Sequence, residues 1–350
     1  MSGALEVVQP GIGSTVQDGG RHGHRHQGVP LSGWLDAPLA QAANALVGND
    51  LGAAVLELRG VGTTLRIRRG PVRVALAGRV GAQRVTSDGI RTPLHAWQSA
   101  TLHEGDTLRL GGADSGCAYL AVGGGIAVTP AFGSRSSYWR AGLSGVLGRA
   151  FQPGDLLPCG VADGQDPREW RCRSPWTTDE GPVRVIPGPQ DDHFTAEALA
   201  SFYVQAWEAS TAQDRMGLRL QGAALTHSGP DAADIVSDGV TPGVIQVPAN
   251  GQPIVLLADG QTVGGYPKIA TVISADLPRL AHLRPGTHVR FEAVTPPQAQ
   301  AARAAQRERW QRWRAGLEAF LPAGSIDEAA LYSRNLISGM LATHPGENTP

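Results

Sequence analysis

The sequence predicts a mainly β chain of two domains, with a few short helices and a helical extension at the C-terminus. Three observations predict it. A length of 350 residues favours two domains over one. Its 46 glycines and 25 prolines follow no collagen period, so they read as many turns between short strands. Apolar residues alternate between those turns, whereas the tail after about residue 297 changes to a helical period rich in tryptophan and arginine.

In chain order, Leu5 to Val8 is a short strand and Pro10 to Gly33 a Gly-rich loop. A helix follows from Asp36 to Val47. Asp36 suits its cap, Pro38 its first turn and Gly48 a left-handed exit, while Leu39, Ala42, Ala43 and Leu46 share one face. From Leu56 to Pro158 the pattern is strand and turn: Val72, Val74 and Leu76 alternate with Arg73 and Ala75, and Asp88-Gly89 marks a hairpin. The phrases HEGDTLRL, QPGDLLP and RPGTHVRF, from His103, Gln152 and Arg284, echo one another, as do two PVRV strings at Pro71 and Pro182. Residues 1–160 therefore form the first domain, the polar residues 161–181 a linker, 182–296 the second domain and 297–350 the extension.

Within the second domain, Val183 to Ile186 is a strand and Thr195 to Phe202 a short helix. Asn250-Gly251 joins VIQV, from Val244, to IVLL, from Ile254. Pro248 and Pro253 flank that turn and argue against these strand ends being central in a sheet. Ala301 to Phe320 reads as a helix with Trp310, Trp313, Leu317 and Phe320 on one face, and Asp327 to Leu341 as a second. A hairpin of helices covering the protein's own barrel is favoured over an arm that docks a partner.

Composition excludes several classes. The net charge of -1 gives no basic face for nucleic acid. No apolar run is long enough for a membrane span, and Met1 to Pro10 lacks the features of a signal peptide. Cys117, Cys159 and Cys172 are odd in number and lack CxxC spacing, so a disulfide framework or zinc knuckle is not expected, and a cytoplasmic location fits. There is no GxxxxGK[ST], GxSxG or HExxH motif. His22, His24 and His26 stand two apart, as a strand-borne metal site would need. Arg21 and Arg25 among them would repel a cation and favour a solvated loop or an anion site, so no metal is expected.

The stretch Asp259 to Lys268, DGQTVGGYPK, carries the most chemistry. It follows an apolar strand, and its glycines would let backbone N–H groups converge as an anion-binding nest. Lys268 adds a cation, Asp259 an acid, and Gln261 and Thr262 neutral hydrogen-bonding groups. Such a set suits phosphoryl or carboxyl chemistry, which needs charge placed against developing oxyanions; the alternative is an ordinary solvated turn. Asp214 beside Arg215 suggests an anion clamp, Asp238-Gly239 a turn or a site, and TVQDGGR combines Asp18 with Arg21.

At these residues the chain resembles the family of the 5-oxoprolinase C-subunit, also described as KipA, allophanate hydrolase subunit 2 or biotin-dependent carboxyltransferase-like. TVQDGGRHGH, GVPLSGWLD, NALVGN, LELRG, FGSRSSYWRAGLSGVLGRAFQPGD, PGPQDDHF, QDRMGLRLQG and the long block from Ser237 to Gly286 carry the resemblance, across Glu6 to Val294. It implies two cyclophilin-like β-barrel domains. It also implies two partners, one KipI-like and one LamB/YcsF-like, and ATP-dependent opening of 5-oxoproline to glutamate. ATP would be bound with or by a partner subunit, and its contact with this chain stays open.

The site that the resemblance implies comprises Lys268 as electrostatic stabiliser and Asp259 as proton handler or orienter. Gln261, Thr262, Gly264, Gly265, Tyr266, Arg215, Asp238 and Gln246 accompany them, with Asp18 and Arg21 in support. The family's usual TTGG is TVGG here, and its QDLGRPGY reads QDGGRHGH, without the aromatic and proline near Arg21.

Two other functions fit the same resemblance. One is a biotin-dependent carboxyltransferase of the urea carboxylase kind. This chain has no biotin attachment segment, since none of Met1, Met216 and Met340 adjoins a lysine. The other is a regulatory binding protein that sequesters the KipI-like partner, a kinase inhibitor.

Overall fold

A computed structural model describes residues 3–113, 116–143, 148–161 and 168–321. The expected helix from Asp327 to Leu341 lies outside the described residues. The fold is mainly β, as predicted, with two assemblies, antiparallel but for one parallel pair between Val183–Pro187 and Phe291–Ala293, and few helices.

The first assembly holds two sheets. One orders six strands as Leu156–Pro158, Ala4–Gln9, Thr64–Arg69, Thr107–Ala113, Val80–Val85 and Arg91–Leu94. The other orders five as Thr15–Gln17, Val55–Leu58, Ala118–Val122, Val72–Ala77 and Ser99–Leu102. Strand alternation sends Val72, Val74, Leu76, Leu120 and Val122 into the core between these sheets. The intervening Ala75, Ala77, Tyr119 and Ala121 belong to the other core, with α1 (Ala37–Val47) and the second assembly. This sheet is thus buried on both faces, and the small alanines leave room for the helix. The cap of α1 is as expected: Leu39 N–H donates to Asp36 Oδ1 at 2.9 Å, and Gly48 closes the helix at φ +77°.

The second assembly is one eight-stranded sheet. Its order is His288–Val289, Trp207–Gln213, Gly217–Gln221, Ile254–Leu256, Val244–Gln246, Lys268–Val272, Val183–Pro187 and Phe291–Ala293. The two outermost strands are separated in sequence by Arg290 alone, so the sheet must curl round until its ends nearly meet, as a barrel does. α2 (Ala196–Val204), capped by Thr195, buries Phe202 against Trp207 and Phe291. A short α3 (Leu277–Leu280) was not anticipated from the sequence.

The three echoing phrases prove to be one local device. In each, the fourth residue donates its N–H to the first residue's carbonyl: Asp106 to His103 at 3.0 Å, Asp155 to Gln152 at 3.1 Å, Thr287 to Arg284 at 3.0 Å. The third residue is a glycine with φ between +83° and +90°, which such a turn requires before the next strand begins.

Two expectations need correction. The strands flanking Asn250-Gly251 are central in the eight-stranded sheet; Pro248 and Pro253 fall in the connection between them, where no ladder N–H is lost. The tail helix, α4, spans Pro296–Ala315 rather than starting at 301, because Thr295 and Gln298 form a reciprocal cap ahead of it. It also ends earlier. Glu318–Phe320 is a strand that pairs with Glu169–Arg171, inside the segment expected to be a linker. The histidine run lies on a loop and a short 3-10 turn, Arg25–Gln27, in keeping with the loop reading. Among the described residues no group of three or more His, Cys, Asp or Glu is placed to hold a metal, and no helix is long and apolar enough to cross a membrane.

Candidate functional site

The Gly-rich N-terminal loop folds back on itself and then lies against the second assembly. Arg21 N–H donates to Leu31 O at 2.7 Å and Trp34 N–H to Asp18 O at 3.1 Å. Gly33 sits at φ +83° where a Cβ would fall 2.9 Å from Asp18 O and Gly20 N, so only glycine lets the two limbs meet. Ser32 N–H then donates to Ala258 O at 2.8 Å, and Arg25 reaches the carbonyls of Val240 and Gln261. The loop therefore delivers Asp18 and Arg21 to the boundary between the two assemblies.

Asp18 is buried and saturated. It accepts from Gly20 N–H at 2.9 Å, Arg135 N–H at 2.6 Å, and the Ser134 and Ser136 hydroxyls at 2.5 and 2.7 Å. Burial opposes its charge, but those donors hold its pKa below the usual carboxylate range. Arg21 is fully buried. Its Nη2 donates to Ser136 O, while Nε and Nη1 have no hydrogen-bond partner. Burial pushes its pKa down against the opposing influence of Asp18 and Asp259.

Arg215 is the keystone of the boundary. Its Nε donates to Asp259 Oδ2 at 2.9 Å, Nη2 to Asp259 Oδ1 at 3.2 Å and to Gly33 O at 2.6 Å, and Nη1 to Glu57 Oε1 at 2.6 Å. Burial disfavours the guanidinium charge, yet Asp259 and Glu57 outweigh it and raise its pKa. Glu57 is fully buried, and its Oε2 accepts from Tyr119 OH at 2.7 Å and Leu35 N–H at 3.1 Å. Tyr119 OH in turn accepts Asp36 N–H at 2.9 Å, and Asp36 Oδ2 meets His282 Nε2 at 2.8 Å. Burial works against the His282 cation, but Cys117 and Asp36 raise its pKa to about 11. A continuous polar chain thus runs from Asp259 through both assemblies.

Lys268 forms a second centre. It is buried at 5% exposure, and its Nζ pairs with Asp238 and lies 3.4 Å from Gly239 O. Asp238 is exposed and stands on a two-stranded flap, Asp238–Gly239 against Val263–Gly264. The Lys268 hydrogen bond, with that of Gly239 N–H, lowers the Asp238 pKa. In the sheet register Gln246 is opposite Lys268. Gln246 Nε2 donates to Tyr266 O at 3.2 Å, and its Oε1 accepts from Gln261 Nε2 at 3.2 Å. Gly264 packs on that amide: a Cβ there would come within 2.5 Å of Gln246 Nε2. Lys268 N–H donates to Gln190 Oε1 at 3.1 Å.

Predicted residues thus fall into two groups. Asp238, Gln246, Gln261, Gly264, Tyr266 and Lys268 gather in one; Thr262 joins through its carbonyl, which accepts Val240 N–H at 3.1 Å, and Gly265 through its carbonyl, which accepts Ile235 N–H at 2.8 Å. Asp18, Arg21, Arg215 and Asp259 gather in the other. No hydrogen bond or ion pair joins Asp259 to Lys268: both are buried, but each has its own partner. The loop is not a nest either. Gly260, Gly264 and Gly265 all lie outside the left-handed region, and the first two instead give room for close packing. Nor do Asp214 and Arg215 clamp together. Asp214 meets Arg140 at 3.3 Å on the surface while Arg215 turns inward. Sequence reasoning missed Glu57, Ser134, Ser136 and Gln190, and noted Arg25 only as a cation in the histidine loop. Glu57 alone left a signal, as a carboxylate in the otherwise apolar strand Val55–Leu58.

The family model for the carboxyltransferase domain, subdomain A and B, matches residues 27–293. The chain belongs to this carboxyltransferase-domain family. Curated relatives in it include the 5-oxoprolinase C-subunit of Escherichia coli, 36% identical over 323 residues that span 89% of this chain and 98% of the relative. The protein of the same name from Haemophilus influenzae is 32% identical over 85% of this chain and 94% of the relative. The urea amidolyase of Saccharomyces cerevisiae is 28% identical over 87% of this chain, which spans 17% of that larger protein.

Two solved structures of carboxyltransferase-domain relatives share the fold. TTHA0988 superposes with a TM-score of 0.72 at 35% identity, over 83% of this chain and 56% of that one. The Kluyveromyces lactis urea carboxylase superposes with a TM-score of 0.75 at 26% identity, over 89% of this chain and 29% of that one.

Proposed function

We propose that the chain is the C-subunit of a multi-subunit, ATP-dependent 5-oxoprolinase, acting in the cytoplasm with one KipI-like and one LamB/YcsF-like partner. The observation that carries this reading is the end-to-end match to two proteins named as 5-oxoprolinase C-subunits, 98% and 94% of whose lengths are covered. The reaction would join 5-oxo-L-proline, ATP and two molecules of water to give L-glutamate, ADP and phosphate. A lactam carbonyl is a poor electrophile. Transfer of the terminal phosphoryl group to its oxygen releases ADP; water adds at the ring carbon, the C–N bond breaks as the ring nitrogen takes a proton and leaves an acyl phosphate, and a second water displaces phosphate to give the side-chain carboxylate.

The chain's residues suit the oxyanion side of this chemistry. Lys268 holds a buried positive charge beneath a solvent-exposed acidic partner, and Arg21 offers two buried N–H donors without acceptors. Asp259, held by two bonds from Arg215, serves as an orienter rather than a free base.

This chain and its KipI-like and LamB/YcsF-like partners, purified and mixed with 5-oxoproline and ATP, should release glutamate only when all three proteins are present. Turnover by the two partners alone would refute the assignment. The urea carboxylase likeness favours a second reading, carboxyl transfer from biotin carried on another protein. Carboxybiotin-dependent urea turnover in the same mixture, without glutamate release, would select it. Tight binding to the KipI-like partner with neither activity would select the regulatory reading.

A further inference from the structure

A cavity of about 340 Å³ lies where the loop before α1, the second assembly and α4 meet. That volume is in the range of small-ligand pockets. Its walls are chiefly apolar and include Trp34, Leu257, Leu277 and Trp310. Both indole N–H groups are already engaged, Trp34 with Gln17 O at 3.0 Å and Trp310 with Pro38 O at 3.2 Å. The rings therefore present apolar surface and ask nothing polar of an occupant.

One wall breaks the pattern. Arg303, Gln306, Arg307 and Trp310 share the face of α4 that lines the cavity. Gln306 fixes that face through a 2.7 Å bond to Ala275 O. Arg303 and Arg307 are exposed, and among the described residues neither makes a hydrogen bond or an ion pair. A helix that only covered its neighbours would place apolar side chains there, as it does at Trp310. Ser32, another lining residue, is 2% exposed at φ +53°, and its Oγ has no partner.

We infer that this cavity is a binding site for a small monocarboxylate with an aromatic or branched apolar body, its ring or chain between the indoles and its carboxylate at Arg303 and Arg307. Two unpaired guanidiniums beside an apolar recess select an anion over its neutral amide. The site is separate from the Lys268 centre. It adjoins Leu257 and Ala258, the residues just before Asp259, so its occupant touches the segment that positions that carboxylate.

The test uses the full chain with phenylacetate and its neutral isostere phenylacetamide as probes, followed by saturation-transfer NMR and calorimetry. Phenylacetate should bind saturably and more tightly than phenylacetamide. Replacing both arginines, Arg303→Ala with Arg307→Ala, should weaken phenylacetate by about tenfold and leave phenylacetamide unchanged. Ser274→Trp, at an exposed lining position, should block both probes. Excess 5-oxoproline should displace neither. Equal affinity of the two probes, undiminished binding to the Ser274→Trp protein, or displacement by 5-oxoproline would each overturn the inference. Unchanged urea midpoints of the variants exclude unfolding as the cause of any loss.

Discussion

Arg215, its side chain 11% exposed, and the buried Lys268 are both cations drawn into the fold, yet they are held on opposite terms. Arg215 uses its donors on Asp259, Glu57 and the Gly33 carbonyl, and the two carboxylates it meets are buried. Lys268 meets one carboxylate, on Asp238, whose side chain is 57% exposed on a flap that also carries the exposed Val263. A saturated buried ion network cannot exchange partners without exposing charge to a low-dielectric interior. A buried ammonium with a solvated partner can pass from that partner to a substrate oxygen at little cost. The first centre builds the boundary between the assemblies, and the second is free to work.

The largest effect should come from breaking the first centre. Arg215→Ala leaves Glu57 and Asp259 as unpaired buried carboxylates and should destabilise the fold by about 3–5 kcal/mol in urea unfolding. A loss no larger than that of a surface substitution would show that water fills the gap and that the network is not structural.

A smaller effect concerns acid. The Asp18 pKa is depressed in the fold, so its contribution is present above the unfolded value of 3.8 and lost as pH falls through the lower folded value. Asp18→Asn should lower stability at neutral pH and flatten the acid limb of the pH–stability curve. His282 gives the opposite sign. Its pKa is raised from 6.5 to about 11, so its contribution is complete below 6.5 and disappears as pH rises towards 11. His282→Gln should therefore remove alkaline sensitivity while sparing the acid limb; an unchanged alkaline limb would disconnect His282 from Asp36. The smallest effect belongs to the flap. Val263→Thr, at an exposed position, should change stability by no more than about 0.5 kcal/mol and leave turnover unaltered.

What the sequence discloses is local. The Asp36, Pro38 and Gly48 signals mark α1 because capping depends on residues a few positions apart. The recurring turns are legible for the same reason, since each glycine stands at the one position that needs a positive φ. The loop from Asp259 to Lys268 draws notice through its composition, but its pairing is hidden. Arg215 finds Glu57 at a separation of 158 residues, and Arg21 finds Ser136 at 115. No periodicity encodes such meetings; they follow from how the two assemblies pack. The early end of α4 is hidden likewise, because the pull on Glu318–Phe320 is a strand near residue 170.

The division of labour between the two centres is tested most directly by Lys268→Met, which keeps the length of the side chain and removes its charge. Glutamate release by the assembled enzyme should fall about a hundredfold or more, while the urea midpoint of the isolated chain stays near that of the unaltered protein. Full turnover by this variant, or a collapse of its stability comparable to that of Arg215→Ala, would contradict the account.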